Sequence, residues 1–238
     1  MTTPVRPCGF AEIILVLLTF CTGLQDAVSF PDFHCFASNQ TGNTVFLMVA
    51  IIVPEMNDKE LMICNIAVAL SSFLGAACVT GQLGHWIGPR IRFWLIVCNS
   101  VQTALVFAAA AVQYVRGTEL PGSHTLAVIA LLAAASGSQV VQSRALAITE
   151  ISTAMATAAW VDFVIDAHLL SAKNRSRNRR LYFLVALVAG SLFGALIYLK
   201  ISSPAAIAIS GAGKLVATTM YFFSPAEKKE TRVGNNTA

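Results

Sequence analysis

Gln25 and Asp26 stand in G-L-Q-D-A-V-S-F, and Asn39, Gln40, Thr41 and Asn43 in F-A-S-N-Q-T-G-N-T, within a chain that is otherwise strongly apolar. Hydrocarbon has no water to satisfy such groups, so each needs a protein partner or a wet cavity. Asp26 has the chemistry to carry a proton, bind a cation or pair with an internal base. Thr41, Gly42 and Asn43 suit the start of a half-helix: Gly42 allows the turn, and Thr41 or Asn43 caps the free amides. A helix start aimed into a cavity attracts anions or polar ligand groups. A plain cap, with Asp26 facing headgroups, would account for the same residues without any ligand.

The second half offers Gln139 in Gly137-Ser-Gln139, and Arg144 a little further on. Arg144 is the expected partner of Asp26 if the two polar segments meet, since pairing lowers the cost of both charges. The alternative has Arg144 snorkelling to the surface. Asp162 and Asp166 share a helix face before a basic loop, and solvation at the membrane boundary is favoured for them over a cation site. His34 and His168 have no metal-ligand spacing. Ser210-Gly-Ala-Gly-Lys214-Leu215 fails as a phosphate loop, because Ala208 and Leu215 occupy the required Gly and Ser/Thr positions. The six cysteines show no C-x-x-C spacing and are expected to pack as small apolar side chains. No cofactor, metal or nucleic acid is expected. An intramembrane enzyme ranks last, for want of a nucleophile, base or metal cluster.

The elements holding these residues follow from composition. The chain is 56% hydrophobic and 12% charged, with mean hydropathy +0.68, against about 25% charged residues in an ordinary soluble domain. Uncharged apolar runs cover Leu61 to Gly84, Phe93 to Val115, Leu126 to Val141 and Leu181 to Leu199. Another covers Ile201 to Phe223, interrupted by Lys214. The longest match the roughly 20 residues that cross a bilayer as helix. Phe10 to Phe20 is expected to belong to an uncleaved first helix. The expected architecture is an all-α integral membrane protein, residues 1–238 forming a single membrane domain of about six transmembrane helices. Two broken or re-entrant segments, Asn43 to Val53 and Thr153 to Leu170, complete it; an eight-crossing arrangement leaves the same charge bias. The first segment rises only about 16 Å as helix, half of the hydrocarbon core.

Lys173, Arg175, Arg177, Arg179 and Arg180 crowd one loop, and Lys228, Lys229 and Arg232 lie in the tail. Cytoplasmic loops carry excess Lys and Arg, so both termini are expected in the cytoplasm, Arg6 included, with residues 224–238 a flexible tail. Plasma membrane is the default location. The sequons at Asn39, Asn174 and Asn235 are therefore expected to be unused. The net charge of +4 suits anionic lipid rather than nucleic acid.

The halves 10–116 and 122–223 also resemble each other. Gly23-Leu-Gln25 parallels Gly137-Ser-Gln139, and Ser71-Ser72-Phe-Leu-Gly75-Ala parallels Gly190-Ser191-Leu-Phe-Gly194-Ala, in the same order. Three crossings per half would invert the second copy, a recurrent plan in transporters. The Ser71/Gly75 and Gly190/Gly194 pairs permit close helix approach, expected within the monomer rather than between copies, though a homo-oligomer stays open.

Gly23, Asp26 and Ala27, followed by Thr41-Gly42-Asn43-Thr-Val-Phe-Leu, resemble the signature of the DUF1275, or YoaK-like, membrane family. Gly137-x-Gln139 with Arg144 resembles its second-half pattern, with departures at Val140 and Ser143. The resemblance spans nearly the whole chain and implies no established activity. The reading that follows is a small secondary transporter or permease for a small metabolite or ion. Its substrate would lie among Gln25, Asp26, Asn39, Thr41, Gly42, Asn43, Gln139 and Arg144. The alternative is a non-transporting membrane scaffold or auxiliary subunit.

Overall fold

The computed structural model describes residues 3–53, 61–117, 122–151, 153–169, 171 and 173–225. Lys59, Lys228, Lys229, Arg232, the Asn235 sequon and most of the expected tail lie outside the described residues. The described residues are all-α apart from one isolated bridge, Pro4 to Ile91. Among the described residues the eight helices are α1 (Gly9–Phe33), α2 (Gln40–Ile52), α3 (Leu61–Ile87), α4 (Arg92–Arg116), α5 (Ser123–Ala145), α6 (Ala156–Val164), α7 (Arg175–Lys200) and α8 (Ser203–Phe222). Six are long and apolar enough to cross a membrane: α1, α3, α4, α5, α7 and α8.

Local chemistry sets the ends. Pro31 sits in the last turn of α1, and His34 then takes a left-handed conformation, φ 55°, with its N–H returning to Phe30 O. Asn39, Asn174 and Ser202 cap α2, α7 and α8, each accepting from a backbone amide of the first turn. With 13 residues, α2 rises about 20 Å, short of the roughly 30 Å hydrocarbon core. Asn65, early in α3, donates to Phe33 O at 2.9 Å, so α3 starts where α1 stops.

α1, α4, α5 and α8 form the interior, while α3 packs on α5 and α7 on α1 from outside. Both described termini meet at one end. Val5 N donates to Arg90 O and Arg6 N to Pro225 O. The same end holds Arg175 and Arg179, which reach Glu12 at 2.6 and 2.7 Å. Arg6, Arg90, Arg92, Arg144, Lys173, Arg177 and Arg180 gather there as well. Arg116 and Lys200 stand at the other. This basic end therefore carries the charge bias that the loops foreshadowed.

Close helix contact is made by glycine, but not by every pair that the sequence singled out. A Cβ on Gly190 would strike Phe20 O, and one on Gly194 would lie 2.9 Å from Leu24 O, so this pair seats α7 on α1. Gly75 has open space around it and Ser71 is exposed. On α3 the small-residue face thus points outward, and the crossing to α5 is made instead by Gly137 against the backbone of Phe73.

Outside the spans, Glu150 accepts from Ser176 at 2.9 Å and pairs with Arg179 at 3.3 Å. Burial alone would raise the Glu150 carboxyl; its backbone bond, Ser176 and Arg179 more than offset this and hold it below its ordinary value. Because the folded value is the lower one, this stabilisation is fully present above the unfolded value and is lost as pH falls through the folded one. Thermal midpoints taken from pH 6 down to pH 3 should decline less steeply for Glu150→Gln than for the wild type.

Candidate functional site

Apolar residues gather at both ends of the bundle. Near the basic end Ile14, Leu15, Leu18, Leu95, Leu146, Phe183 and Tyr221 form one cluster. Towards the opposite end Val28, Phe33, Val106, Ile129, Leu132 and Ile207 form another. Each of the four interior helices passes between them through a polar turn, which makes a layer at mid-depth: Thr22 and Gln25 from α1, Asn99 and Gln102 from α4, Ser136, Gln139 and Gln142 from α5, Ser210, Lys214 and Thr218 from α8. All are buried.

Lys214 is the centre of this layer and is fully buried. Its ammonium donates to Gln139 Oε1 and, at 3.4 Å, to Gln102 Oε1. An ammonium only donates, so both glutamines must turn their oxygens towards it and their amides away. Gln139 Nε2 therefore reaches Thr22 Oγ1 at 2.8 Å and Leu18 O at 3.3 Å. Gln102 Nε2 reaches Gln142 Oε1 at 2.7 Å and Ser138 Oγ at 3.1 Å. Gln25 joins through Ser210, 2.7 Å away. Among the described residues, no carboxylate lies within ion-pair distance of Lys214. Beside it, Asn99 Nδ2 bonds Thr218 Oγ1 and Lys214 O, while Asn99 Oδ1 is buried with no hydrogen-bond partner.

Sequence reading placed Gln25 and Gln139 in the site, and both lie in this layer. It missed Lys214, Gln102, Gln142 and Asn99. A signal existed: Ser203, Ser210, Lys214 and Thr218 fall on one helical face in an otherwise apolar span, so Lys214 is not an isolated interruption.

The first polar segment forms a separate structure. Asp26 Oδ1 accepts from Ser38 N at 2.9 Å and Oδ2 from Ser38 Oγ at 2.5 Å, tying the α1–α2 connection to α1. Asn43, fully buried, accepts from Phe36 N at 2.9 Å and donates to Phe36 O and Gln40 Oε1 at 2.8 and 2.9 Å. Asn39 accepts from Gly42 N at 3.2 Å, and Gly42 faces the Phe36 ring; Thr41 is exposed. These residues clasp a loop. Asn43→Ala should cost roughly 1–3 kcal/mol, since it leaves Phe36 N and O unmet. Asn43→Asp should not rescue it, because a carboxylate cannot donate to Phe36 O. Thermal unfolding in detergent reads both variants.

The expected Asp26–Arg144 pair is not formed. α5 runs opposite to α1, which carries Arg144 to the basic end, exposed and within 3.2 Å of Met155 Sδ, while Asp26 bonds Ser38 towards the other. Asp162 and Asp166 both meet Arg180 at 3.5 Å, which fits the boundary reading rather than a cation site.

Hollows open at both ends of the bundle. At the basic end, cavities of about 370 and 310 Å³ share Arg144, and Gln142 in the second links it to Gln102. At the opposite end a cavity of about 590 Å³ is lined by Asp32, Gln113, Tyr114, Tyr198 and Ser203. Among the described residues, no group of His, Cys, Asp and Glu could hold a metal ion.

Residues 14–220 match the family model described as "Protein of unknown function (DUF1275)". No curated protein and no solved structure matches the chain.

Proposed function

The chain belongs to the DUF1275 family, and for it we propose a small secondary transporter or permease that passes a small polar solute through the mid-depth layer around Lys214. The observation that carries this reading is the buried ammonium held only by neutral oxygens. An intramembrane cation without a counter-ion is expensive, and a packed apolar core would be more stable. Such a charge finds its use when a solute or a moving proton meets it.

Two further features support the reading. A hollow reaches the layer from the basic end through Gln142, and the orphaned Asn99 oxygen leaves a place for a donor from solute or water. The packing also agrees with a duplicated, inverted plan. The α1–α7 contact has its counterpart in α5–α3, α1–α8 in α5–α4, and α2–α3 in α6–α7. Gly23 meets Leu187 and Gly190 of α7 just as Gly137 meets Phe73 of α3. Counterpart helices run in opposite directions, as in inverted-repeat carriers, where the solute is held between the copies. The basic end is assigned to the cytoplasm by the same charge rule applied to the sequence. Of the earlier candidates, Gln25 and Gln139 remain solute-contacting; Asp26, Asn39, Gly42 and Asn43 brace the connection, Thr41 is exposed, and Arg144 lies at the basic end.

The test is solute exchange in sealed liposomes, with purified protein and a panel of radiolabelled amino acids, organic acids, sugars and ammonium compounds. Exchange above protein-free liposomes for one class supports the reading. A folded, uniformly inserted protein that exchanges no member of the panel overturns it and favours the scaffold.

A further inference from the structure

At the end opposite the basic loops, Asp32 is 8% exposed and looks into the 590 Å³ cavity. Gln113 Nε2 donates to Asp32 Oδ2 at 2.7 Å and to Ser203 Oγ at 3.0 Å, and Ser203 Oγ itself donates to Oδ2. Both donors converge on Oδ2, and the Tyr198 hydroxyl also bonds this carboxylate. No Lys, Arg or His among the described residues pairs with this carboxylate.

The Gln113 amide is locked in orientation, because its nitrogen must face the carboxylate. Its oxygen is therefore a fixed acceptor, and it is buried with no partner. A carboxylate and an orphaned amide oxygen at one cavity call for a ligand that is positive and carries N–H donors. Tyr114 and Tyr198 line the same cavity and suit the alkyl part of such a ligand or its charge.

We propose that this cavity is a recognition site for a primary ammonium group, with Asp32 supplying the charge and Gln113 Oε1 the second acceptor. Tyr114 adds an aromatic wall, and the Tyr198 hydroxyl holds the carboxylate. The inference stands apart from the transport reading: Ser203 and Lys214 are 11 residues apart on α8, about 16 Å along its axis. Lys214 would repel a cation moving deeper. Binding here requires no flux, so its failure and that of the transport reading are separable.

The experiment measures equilibrium binding to the purified full chain by thermal shift and by calorimetry, at constant ionic strength, with ethylammonium, tetramethylammonium and sodium as chlorides. Ethylammonium should bind saturably and at least about tenfold more tightly than tetramethylammonium, which has the charge but no donor. Sodium should produce no saturable shift. Asp32→Asn should weaken ethylammonium at least about tenfold, a loss of about 1.4 kcal/mol. Tyr114→Ala, which leaves the carboxylate and its donors in place, should weaken it severalfold and serves as the test if Asp32→Asn does not fold. Equal binding of tetramethylammonium, undiminished binding by both variants, or no saturable binding of ethylammonium to folded wild type overturns the assignment.

Discussion

Lys214→Met should reduce solute exchange at least about tenfold while leaving the thermal midpoint near that of the wild type. A hydrogen bond to a charged group is worth about 1.5–3 kcal/mol, and a solute that meets Lys214 would lose that much on truncation. The stability terms oppose each other. Removing a buried ammonium relieves a desolvation cost of several kcal/mol. The same change leaves Gln102 Oε1 and Gln139 Oε1 without their donor, at roughly 1–3 kcal/mol each. Flux measured in liposomes beside unfolding in detergent separates the two effects. A protein that unfolds readily yet exchanges solute at the wild-type rate would make Lys214 a structural pin and remove the layer from the transport reading.

Gly190→Ala and Gly137→Ala should each destabilise the bundle by roughly 3 kcal/mol, whereas Gly75→Ala should be neutral or slightly stabilising. Added methyl groups at the first two positions would meet the backbones of Phe20 and Phe73, which no rotamer change can move aside. The helices must separate, and overpacking of this kind typically costs about 1–3 kcal/mol. In a membrane the loss reaches further, because helix association there depends on close van der Waals contact rather than on the hydrophobic effect. Gly75 has nothing near its added methyl, so only the intrinsic gain of about 0.5–1 kcal/mol for Ala over Gly in a helix remains. Midpoints of unfolding for the three variants decide the matter. A large loss at Gly75 would point instead to an interface on the outer face of α3.

The two glycine results bear on what a repeat in sequence signifies. Ser71/Gly75 and Gly190/Gly194 align as words, yet one faces outward and the other holds α7 against α1. Spacing places small residues on one helix face, but which face meets a neighbour depends on how each helix is rotated in the bundle. Likewise Asn43 was legible as a polar group that needed a partner, while its partner, the backbone of Phe36, is a loop geometry no local pattern encodes.

By itself, the sequence determined the class and the family. Those properties depend on one-dimensional quantities: the length of apolar runs against bilayer thickness, the placement of Lys and Arg, and the local words around Asp26 and Asn43. Only the tertiary structure decided which polar groups share a site. It separated Asp26 from Arg144, because antiparallel α1 and α5 carry them to opposite ends. It brought Gln25, Gln102, Gln139 and Lys214 into one layer, although they lie far apart along the chain. It also set Asp32 against Gln113 and Ser203. In hydrocarbon a polar side chain must find its partner on another helix, and which helix that is follows from packing rather than from proximity in sequence.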